Sequence, residues 1–134
     1  MPPDLRHVPQ AARCSDLVII PMRPTLFDLQ VTRGLIPLLT SVGVRYAVVI
    51  NAAPPIRDHG DSPMVRQTRE ALAHVGPRLW RRQITSRVTI PYSTVRGAAV
   101  VETEPDGLAA HEYRALWNAV RNTLKLEGVV DETV

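Results

Sequence analysis

Two runs of the chain are apolar at almost every position rather than at every second one. They cover residues 17–21 (Leu-Val-Ile-Ile-Pro) and residues 46–51 (Tyr-Ala-Val-Val-Ile-Asn). Unbroken apolar runs of this length are typical of strands that are covered on both faces, as in parallel sheets. Between them, apolar residues recur at helical spacing, at Phe27, Val31, Leu35, Leu38 and Val42. The pattern therefore predicts a strand, a helix over residues 25–42 and a second, parallel strand.

The start of this helix carries a clear signal, whereas its middle carries a conflicting one. Thr25 is a favourable N-cap, and Asp28 follows three positions later, where an acidic residue completes a capping box and faces the positive end of the helix dipole. Pro37 lacks a backbone donor and clashes with the preceding turn. We therefore expect the helix to kink or to end near Ile36.

The second half of the chain repeats the alternation of strands and helices less clearly. Residues 52–61 are rich in proline, glycine and aspartate and predict a loop. Ser62 and Pro63 have the residue types of a helix cap and first position, and this helix is expected to end at Gly76. Residues 79–84 predict a strand, and the arginines within it favour an edge position.

The last third of the chain predicts shorter elements and one long helix. Residues 86–96 predict a short helix, and residues 98–102 an extended segment. Asp106 is expected to cap a final amphipathic helix that is stopped by Gly128. Its apolar face carries Tyr113, Leu116, Trp117, Val120 and Leu124.

Composition fits one domain over residues 1–128, followed by a tail over residues 129–134. The chain has 134 residues, 45% of them hydrophobic, which is enough for a core. Cys14 is the single cysteine, so a disulfide framework is excluded and a reducing, cytoplasmic location is expected. No segment has the length of a membrane span, so we expect no membrane partner. The net charge of +3 permits only weak, nonspecific contact with DNA.

Motifs for common chemistries are not found in the sequence. The four histidines have no metal-site spacing, and Ser15 lacks the Gly-x-Ser-x-Gly elbow that exposes a nucleophile. All seven glycines are isolated, and none begins a phosphate loop ending in Gly-Lys-Ser or Gly-Lys-Thr. We therefore predict no catalytic residue and no metal ligand.

Several segments, taken in order, resemble the C-terminal half of partition ATPases of the ParA/MinD type, especially the plasmid-borne ParA group. The first two are residues 15–21 (Ser-Asp-Leu-Val-Ile-Ile-Pro) and 23–29 (Arg-Pro-Thr-Leu-Phe-Asp-Leu). The others are residues 49–51 (Val-Ile-Asn) with the prolines at 54–55, residues 84–88 (Ile-Thr-Ser-Arg-Val), 97–100 (Gly-Ala-Ala-Val) and 104–106 (Glu-Pro-Asp). Each match alone is weak, but their order and spacing are specific, and they span nearly the whole chain.

The resemblance implies a three-layer α/β fold with a mostly parallel sheet and helices on both faces, as a partial P-loop NTPase fold. Residues 1–3 (Met-Pro-Pro) resemble the end of the family's Asp-x-Pro-Pro motif, whose aspartate helps to hold magnesium. The family binds ATP and magnesium, but its phosphate loop and that aspartate are not in this sequence. We therefore expect no ATP hydrolysis and no tightly bound cofactor.

The resemblance also assigns candidate site residues. Asn51, Pro54, Thr85 and Arg87 match positions on the adenine side of the nucleotide, and Thr25 and Asp28 match the face of the nucleotide-dependent dimer. Simpler explanations remain open: a loop-capping asparagine, an exposed loop arginine, and ordinary helix capping by Thr25 and Asp28.

Three functions follow as expectations. The first is a truncated ParA-like protein of plasmid or chromosome partition without ATPase activity. The second is an interaction module that pairs with a full-length ParA-like ATPase, and the third is a fragment of an intact ATPase whose start site is misassigned. We also expect the chain to be able to form a homodimer.

Two surface features bear on these expectations. Five arginines fit either nonspecific DNA contacts or solvated charge, namely Arg66, Arg69, Arg78, Arg81 and Arg82. If the phosphate-loop strand is missing, the strand at Leu17 should present an apolar, unpaired edge. Such an edge invites association with a partner or with a second copy of the chain.

Overall fold

A computed structural model describes residues 4–125 as an α/β fold built on a parallel sheet of three strands in the order β1-β2-β3. The strands are β1 (Val18–Met22), β2 (Tyr46–Ala53) and β3 (Leu79–Thr85). The helices are α1 (Val8–Arg13), α2 (Leu26–Val42), α3 (Pro63–Ala71), α4 (Thr89–Val95), α5 (Val100–Thr103) and α6 (Leu108–Leu124), with a 3-10 segment over Ala73–Arg78. The predicted α/β class with a parallel sheet is confirmed at this level. Residues 1–3, the expected stop at Gly128 and the expected tail at 129–134 lie outside the described residues.

The central strand is mostly buried because helices cover it on both faces. On one face, Ile20, Tyr46 and Val48 pack with Leu39 of α2 and with Leu72, which follows α3. On the other face, the strand residues Ile19, Ala47, Val49 and Trp80 line a small cavity with α6. The continuous apolar runs in β1 and β2 arise from this two-sided cover.

The two outer strands are edges within residues 4–125, as predicted for both of them. The Val18 N–H donates to the Arg45 carbonyl at 2.9 Å, so the backbone groups of Val18 face β2. Alternation along a strand then turns the backbone groups of Ile19 and Pro21 toward the open side. Proline has no N–H to offer, which suits it to an edge. The open edge of β1 therefore offers the Ile19 N–H as its one donor between Val18 and Met22.

An apolar groove of about 340 Å³ runs along this open edge. Its floor is the five residues of β1, and its wall is the first half of α2, including Val31 and Leu35. Ile19 and Val31 remain 40% and 41% exposed. Helix α2 thus extends past the edge of the sheet and overhangs the space that a further strand would fill.

Helix α2 matches the span 25–42 that the apolar spacing predicts, but it does not end early at Pro37. The Thr25 hydroxyl accepts from the Asp28 N–H at 3.2 Å, and the helix ends at Gly43, whose φ of 79° lies in the left-handed region. The expected end near Ile36 is wrong, since the helix continues through Pro37 to Val42. Ile36 and Leu39, on either side of the proline, are both buried in the core, and this burial outweighs the lost backbone bond.

Two expectations for the last third are also wrong. Residues 100–103 form the short helix α5 rather than an extended segment, because the Glu102 carboxylate caps it by accepting from the Ala99 N–H at 2.7 Å. Gly107, not Asp106, is the N-cap of α6. A Cβ at Gly107 would lie 3.2 Å from the Glu104 carbonyl oxygen, so this tight approach favours glycine.

Candidate functional site

The carboxyl ends of β2 and β3 form the part of the sheet where most of the predicted site residues lie. Ala53 pairs with Thr85, and Ile50 pairs with Gln83, with irregular register between them. The irregularity falls at Ala52, whose φ of 49° lies in the left-handed region that a residue with a Cβ seldom adopts. In parallel α/β sheets, ligands bind outside this end of the strands. The strained position next to Asn51 is therefore found where a functional site is expected.

A single carboxylate from α6 organises this end of β3. Glu112 accepts from the Thr85 N–H at 2.7 Å, from the Thr85 hydroxyl at 2.8 Å and from the Arg87 guanidinium at 3.0 Å. The side chains of Arg87 and Glu112 are 28% and 12% exposed, so the ion pair is largely shielded from water. Thr85 and Arg87, predicted as neighbours of a purine, thus bind an acid of the same chain.

Gln83 extends the network toward the loop after β2. Its buried amide nitrogen donates to the Pro54 carbonyl at 2.9 Å and to the Thr85 hydroxyl at 3.0 Å. The Ser86 N–H donates to the Ala53 carbonyl at 2.9 Å. The backbone of residues 53–54 is therefore tied to β3, and Pro54 contributes its carbonyl to the site.

Two buried polar atoms of this network have no hydrogen-bond partner within residues 4–125. They are the amide oxygen of Gln83 and the Nε of Arg87. An unpaired buried donor is costly, since it has lost its water without gaining a partner. The Arg87 guanidinium thus has donor capacity that the Glu112 carboxylate does not use.

The negative charge of Glu112 also affects the next residue of α6. Burial raises the pKa of the Tyr113 phenol, and the Glu112 charge raises it further. Tyr113 lines a second apolar cavity with Ile90 and Val100, of about 290 Å³. The phenol of Tyr113 therefore stays protonated at neutral pH.

The predicted dimer-face residues form a separate group at the start of α2. The Asp28 carboxylate accepts from the Arg23 N–H at 2.8 Å and from two guanidinium nitrogens of Arg23, each at 3.1 Å. These hydrogen bonds hold the pKa of Asp28 below its ordinary value. The carboxylate binds Arg23 rather than returning to the N-cap backbone, so only the Thr25 half of the predicted capping box forms. Both residues have structural roles that need no partner.

Large apolar side chains surround this group and were not among the predicted site residues. Leu26 and Phe27 are 66% and 79% exposed, and with Met64 of α3 they line an open groove of about 450 Å³. Phe27 belongs to the apolar spacing that predicts α2, but the spacing alone does not show which of its residues stay exposed. Surface of this kind is typical of contact sites.

The five arginines considered for DNA divide into two groups. Arg69 is engaged in the fold, since its guanidinium binds the Asp61 carboxylate and the carbonyls of Trp80 and Arg82. Arg78 lies over the ring of Tyr46, at 5.3 Å from its centroid. Arg66, Arg81 and Arg82 are exposed, as is Arg78. The side chains of Arg66, Arg81 and Arg82 form the second group and take no part in the contacts described for Arg69 and Arg78.

Among the polar residues predicted for the site, Asn51 makes the fewest side-chain hydrogen bonds within residues 4–125. It is half-buried near the end of β2, and its amide could donate and accept toward a purine edge. Thr85 and Arg87, by contrast, are engaged by Glu112. The donors of Thr85 and Arg87 are therefore open to a ligand only where Glu112 is displaced.

Sequence reasoning missed Glu112 and Gln83, although Glu112 left a signal. It lies one turn before Leu116, and Leu116, Ala119, Val120 and Thr123 face the sheet. An acid in line with a sheet-facing stripe is unusual and indicates a partner in the interior. Gln83 left no comparable signal, because its burial depends on the loop that crosses it.

Within residues 4–125, no helix is both long and apolar enough to cross a membrane. The same residues contain no group of three or more histidine, cysteine, aspartate or glutamate side chains arranged to hold a metal ion. Comparison of the sequence with protein-family models and with curated proteins gives no match.

Proposed function

We propose that this chain is a ParA-like protein of plasmid or chromosome partition that does not hydrolyse ATP itself. One observation supports the proposal most strongly. Asn51, Pro54, Thr85 and Arg87 come from two separate segments, and they lie together at the carboxyl edge of a parallel sheet. These are the positions for which the resemblance implies contact with the base of a nucleotide.

The absence of hydrolysis is proposed on chemical grounds. Phosphoryl transfer depends on positioning and on charge stabilisation by a phosphate loop and a metal ion. The 134 residues contain no such loop. In addition, Glu112 places a negative charge among the donors of Thr85 and Arg87, which disfavours a polyphosphate nearby.

Titration with a fluorescent ATP analogue, with and without magnesium, tests this part of the proposal. We expect no saturation below about 1 mM, which corresponds to less than about 4 kcal/mol of binding free energy, and no phosphate release. A full-length ParA-like ATPase is the positive control. Magnesium-dependent phosphate release that the substitution Asn51→Ala abolishes would contradict the proposal.

A second candidate function is that of an interaction module that pairs with a full-length ParA-like ATPase. The open edge of β1 and the apolar groove beside it favour this candidate. A strand of the ATPase would donate to the carbonyls of Ile19 and Pro21 and accept from the Ile19 N–H, while apolar side chains fill the groove.

The second candidate is tested by sedimentation of the two purified proteins together and by the ATPase rate of the full-length partner. We expect co-sedimentation and a changed rate with the native chain, and neither with Ile19→Lys, which places a charge on the open edge. Ile56→Lys is the matched control, because Ile56 is 57% exposed in the loop after β2. Equal effects of the two substitutions would exclude the β1 edge as the contact.

A further inference from the structure

We propose that the N–H and hydroxyl of Thr85 and the guanidinium of Arg87 form an oxyanion site, and that the chain's own Glu112 carboxylate fills it. A carboxylate or phosphate oxyanion from outside the chain would bind the same donors when Glu112 is absent or displaced. This inference does not depend on the proposed function, since it concerns only the chemistry of the donors.

The convergence of the donors is the first argument. A backbone N–H, a hydroxyl and a guanidinium approach one carboxylate at 2.7, 2.8 and 3.0 Å. The backbone and hydroxyl donors belong to a residue that is only 2% exposed at the end of β3, so the strand fixes their direction. Charge-assisted bonds of this length are strong and geometrically specific. The donors would still converge if the carboxylate were removed.

Unused donor capacity is the second argument. The Oε1 atom of Glu112 already accepts from both the Thr85 hydroxyl and Arg87. The Nε of the same guanidinium is buried and has no partner in the part of the chain that the structure describes. An anion with three or four oxygens can reach more donors than a carboxylate can. We therefore expect phosphate to fit the vacated site better than acetate.

The third argument is that the helix carrying Glu112 has other contacts with the sheet. Glu112 lies on α6, and α6 packs against β3 beyond this contact. The helix can therefore remain docked through Leu116 and Val120 when the carboxylate is lost. Arg87 is 28% exposed, which gives a small anion access from solvent.

Thermal unfolding of the Glu112→Ala variant tests the site. We expect a lower melting temperature than that of the native chain. Acetate or phosphate should restore more than half of the loss in a saturable manner, at ionic strength held constant with chloride. A larger effect of phosphate indicates a phosphate-bearing ligand, and a larger effect of acetate indicates a carboxylate ligand; either result supports the site.

Two variants serve as controls. Glu70→Ala removes an exposed carboxylate on α3 and should show no response to either anion beyond that of the native chain. Adding Arg87→Ala to Glu112→Ala should abolish the recovery, because the cationic donor is lost. If Glu112→Ala responds to acetate and phosphate as it responds to chloride, the proposal is wrong. The contact of Glu112 with Thr85 and Arg87 is then only an internal structural ion pair.

A second measurement covers the case in which Glu112→Ala does not fold. The variant Glu112→Ser removes the carboxylate and leaves only a short polar side chain, so the donors of Thr85 and Arg87 are vacated. We expect the backbone amide resonance of Thr85 to shift saturably as phosphate is added to this variant, and to shift far less in the native chain. An unchanged Thr85 resonance in Glu112→Ser would overturn the proposal.

Discussion

At the scale of single residues, two of the ion pairs lie where strands end. The Glu112 carboxylate accepts from Thr85 and Arg87 at the end of β3, and the Asp28 carboxylate accepts from Arg23 after β1. In both cases a charged group of the chain itself occupies donors that a ligand or partner could use. The structural roles that the sequence left open for Thr25 and Asp28 are thus realised in the fold.

Arg69 gives the first prediction. Its guanidinium joins α3 to the outer edge of β3 through Asp61 and two carbonyls. The substitution Arg69→Ala should lower the free energy of unfolding by about 2 kcal/mol, because three polar partners lose a charged donor. Arg66→Ala, on the exposed side of the same helix, should change it by less than about 0.5 kcal/mol. Urea denaturation measures both, and equal effects would contradict the assignment.

Asp28 gives a prediction about pH. Hydrogen bonds from the Arg23 side chain lower the pKa of the Asp28 carboxyl from its ordinary value of 3.8. A folded pKa below the unfolded one stabilises the fold above that ordinary value, and this stabilisation is lost as the pH falls through the folded pKa. The destabilisation caused by Asp28→Asn should therefore be largest at neutral pH and should shrink in acid.

Denaturation of the native chain and of Asp28→Asn across the acid range checks this prediction. Asp58→Asn, in the exposed loop after β2, is the matched control for the same chemical change. A difference between Asp28→Asn and the native chain that grows in acid would contradict the sign.

At the scale of elements, α2 shows that the burial of apolar side chains outweighs the poor helix propensity of a proline. Proline in a helix interior costs about 3 kcal/mol, yet Pro37 lies within α2 because Ile36 and Leu39 are buried on either side. The substitution Pro37→Ala should therefore raise the free energy of unfolding by about 1–3 kcal/mol, since it restores a backbone donor at an exposed position.

Gly34→Ala is the matched comparison for Pro37→Ala. A Cβ at Gly34 meets no atom within 4 Å, so a smaller gain of about 0.5–1 kcal/mol is expected from reduced backbone freedom. Chemical denaturation measures both gains. A loss of stability in Pro37→Ala would show that the ring itself contributes to packing.

The strands and the start of α2 could be predicted from the sequence, and the physical reason is that their signals are local. The apolar runs at 17–21 and 46–51 and the Thr25 cap depend on neighbours within a few residues. Helix α5 could not be predicted, because four residues carry no period and its stability rests on Glu102 and on the burial of Val100. Glu112 could not be paired with Thr85, because the two lie 27 positions apart and the segment between them carries no signal of their contact.

At the scale of the whole molecule, the sheet is open on the β1 side in the region that the structure covers. The groove beside Ile19 and the overhang of α2 leave apolar surface that a further strand would bury. Pro21 removes one edge donor and so limits, without preventing, strand addition. We therefore expect the purified chain to associate with itself.

Sedimentation at several protein concentrations, together with calorimetry, checks this expectation. The native chain should show concentration-dependent association, and Ile19→Lys should weaken it at least tenfold, or by about 1.4 kcal/mol. Ile56→Lys should leave it unchanged. A monomeric native chain with a sharp, cooperative melt would contradict the expectation.

The central proposal is that the chain acts in partition without hydrolysing ATP. Its most direct test is the rate at which cells lose the replicon that carries the coding sequence. Cells with an early stop codon in that sequence are compared with cells carrying the native sequence, and a copy supplied elsewhere serves as the control. We expect the stop codon to raise the loss rate and the second copy to restore it. An unchanged loss rate would contradict the proposal.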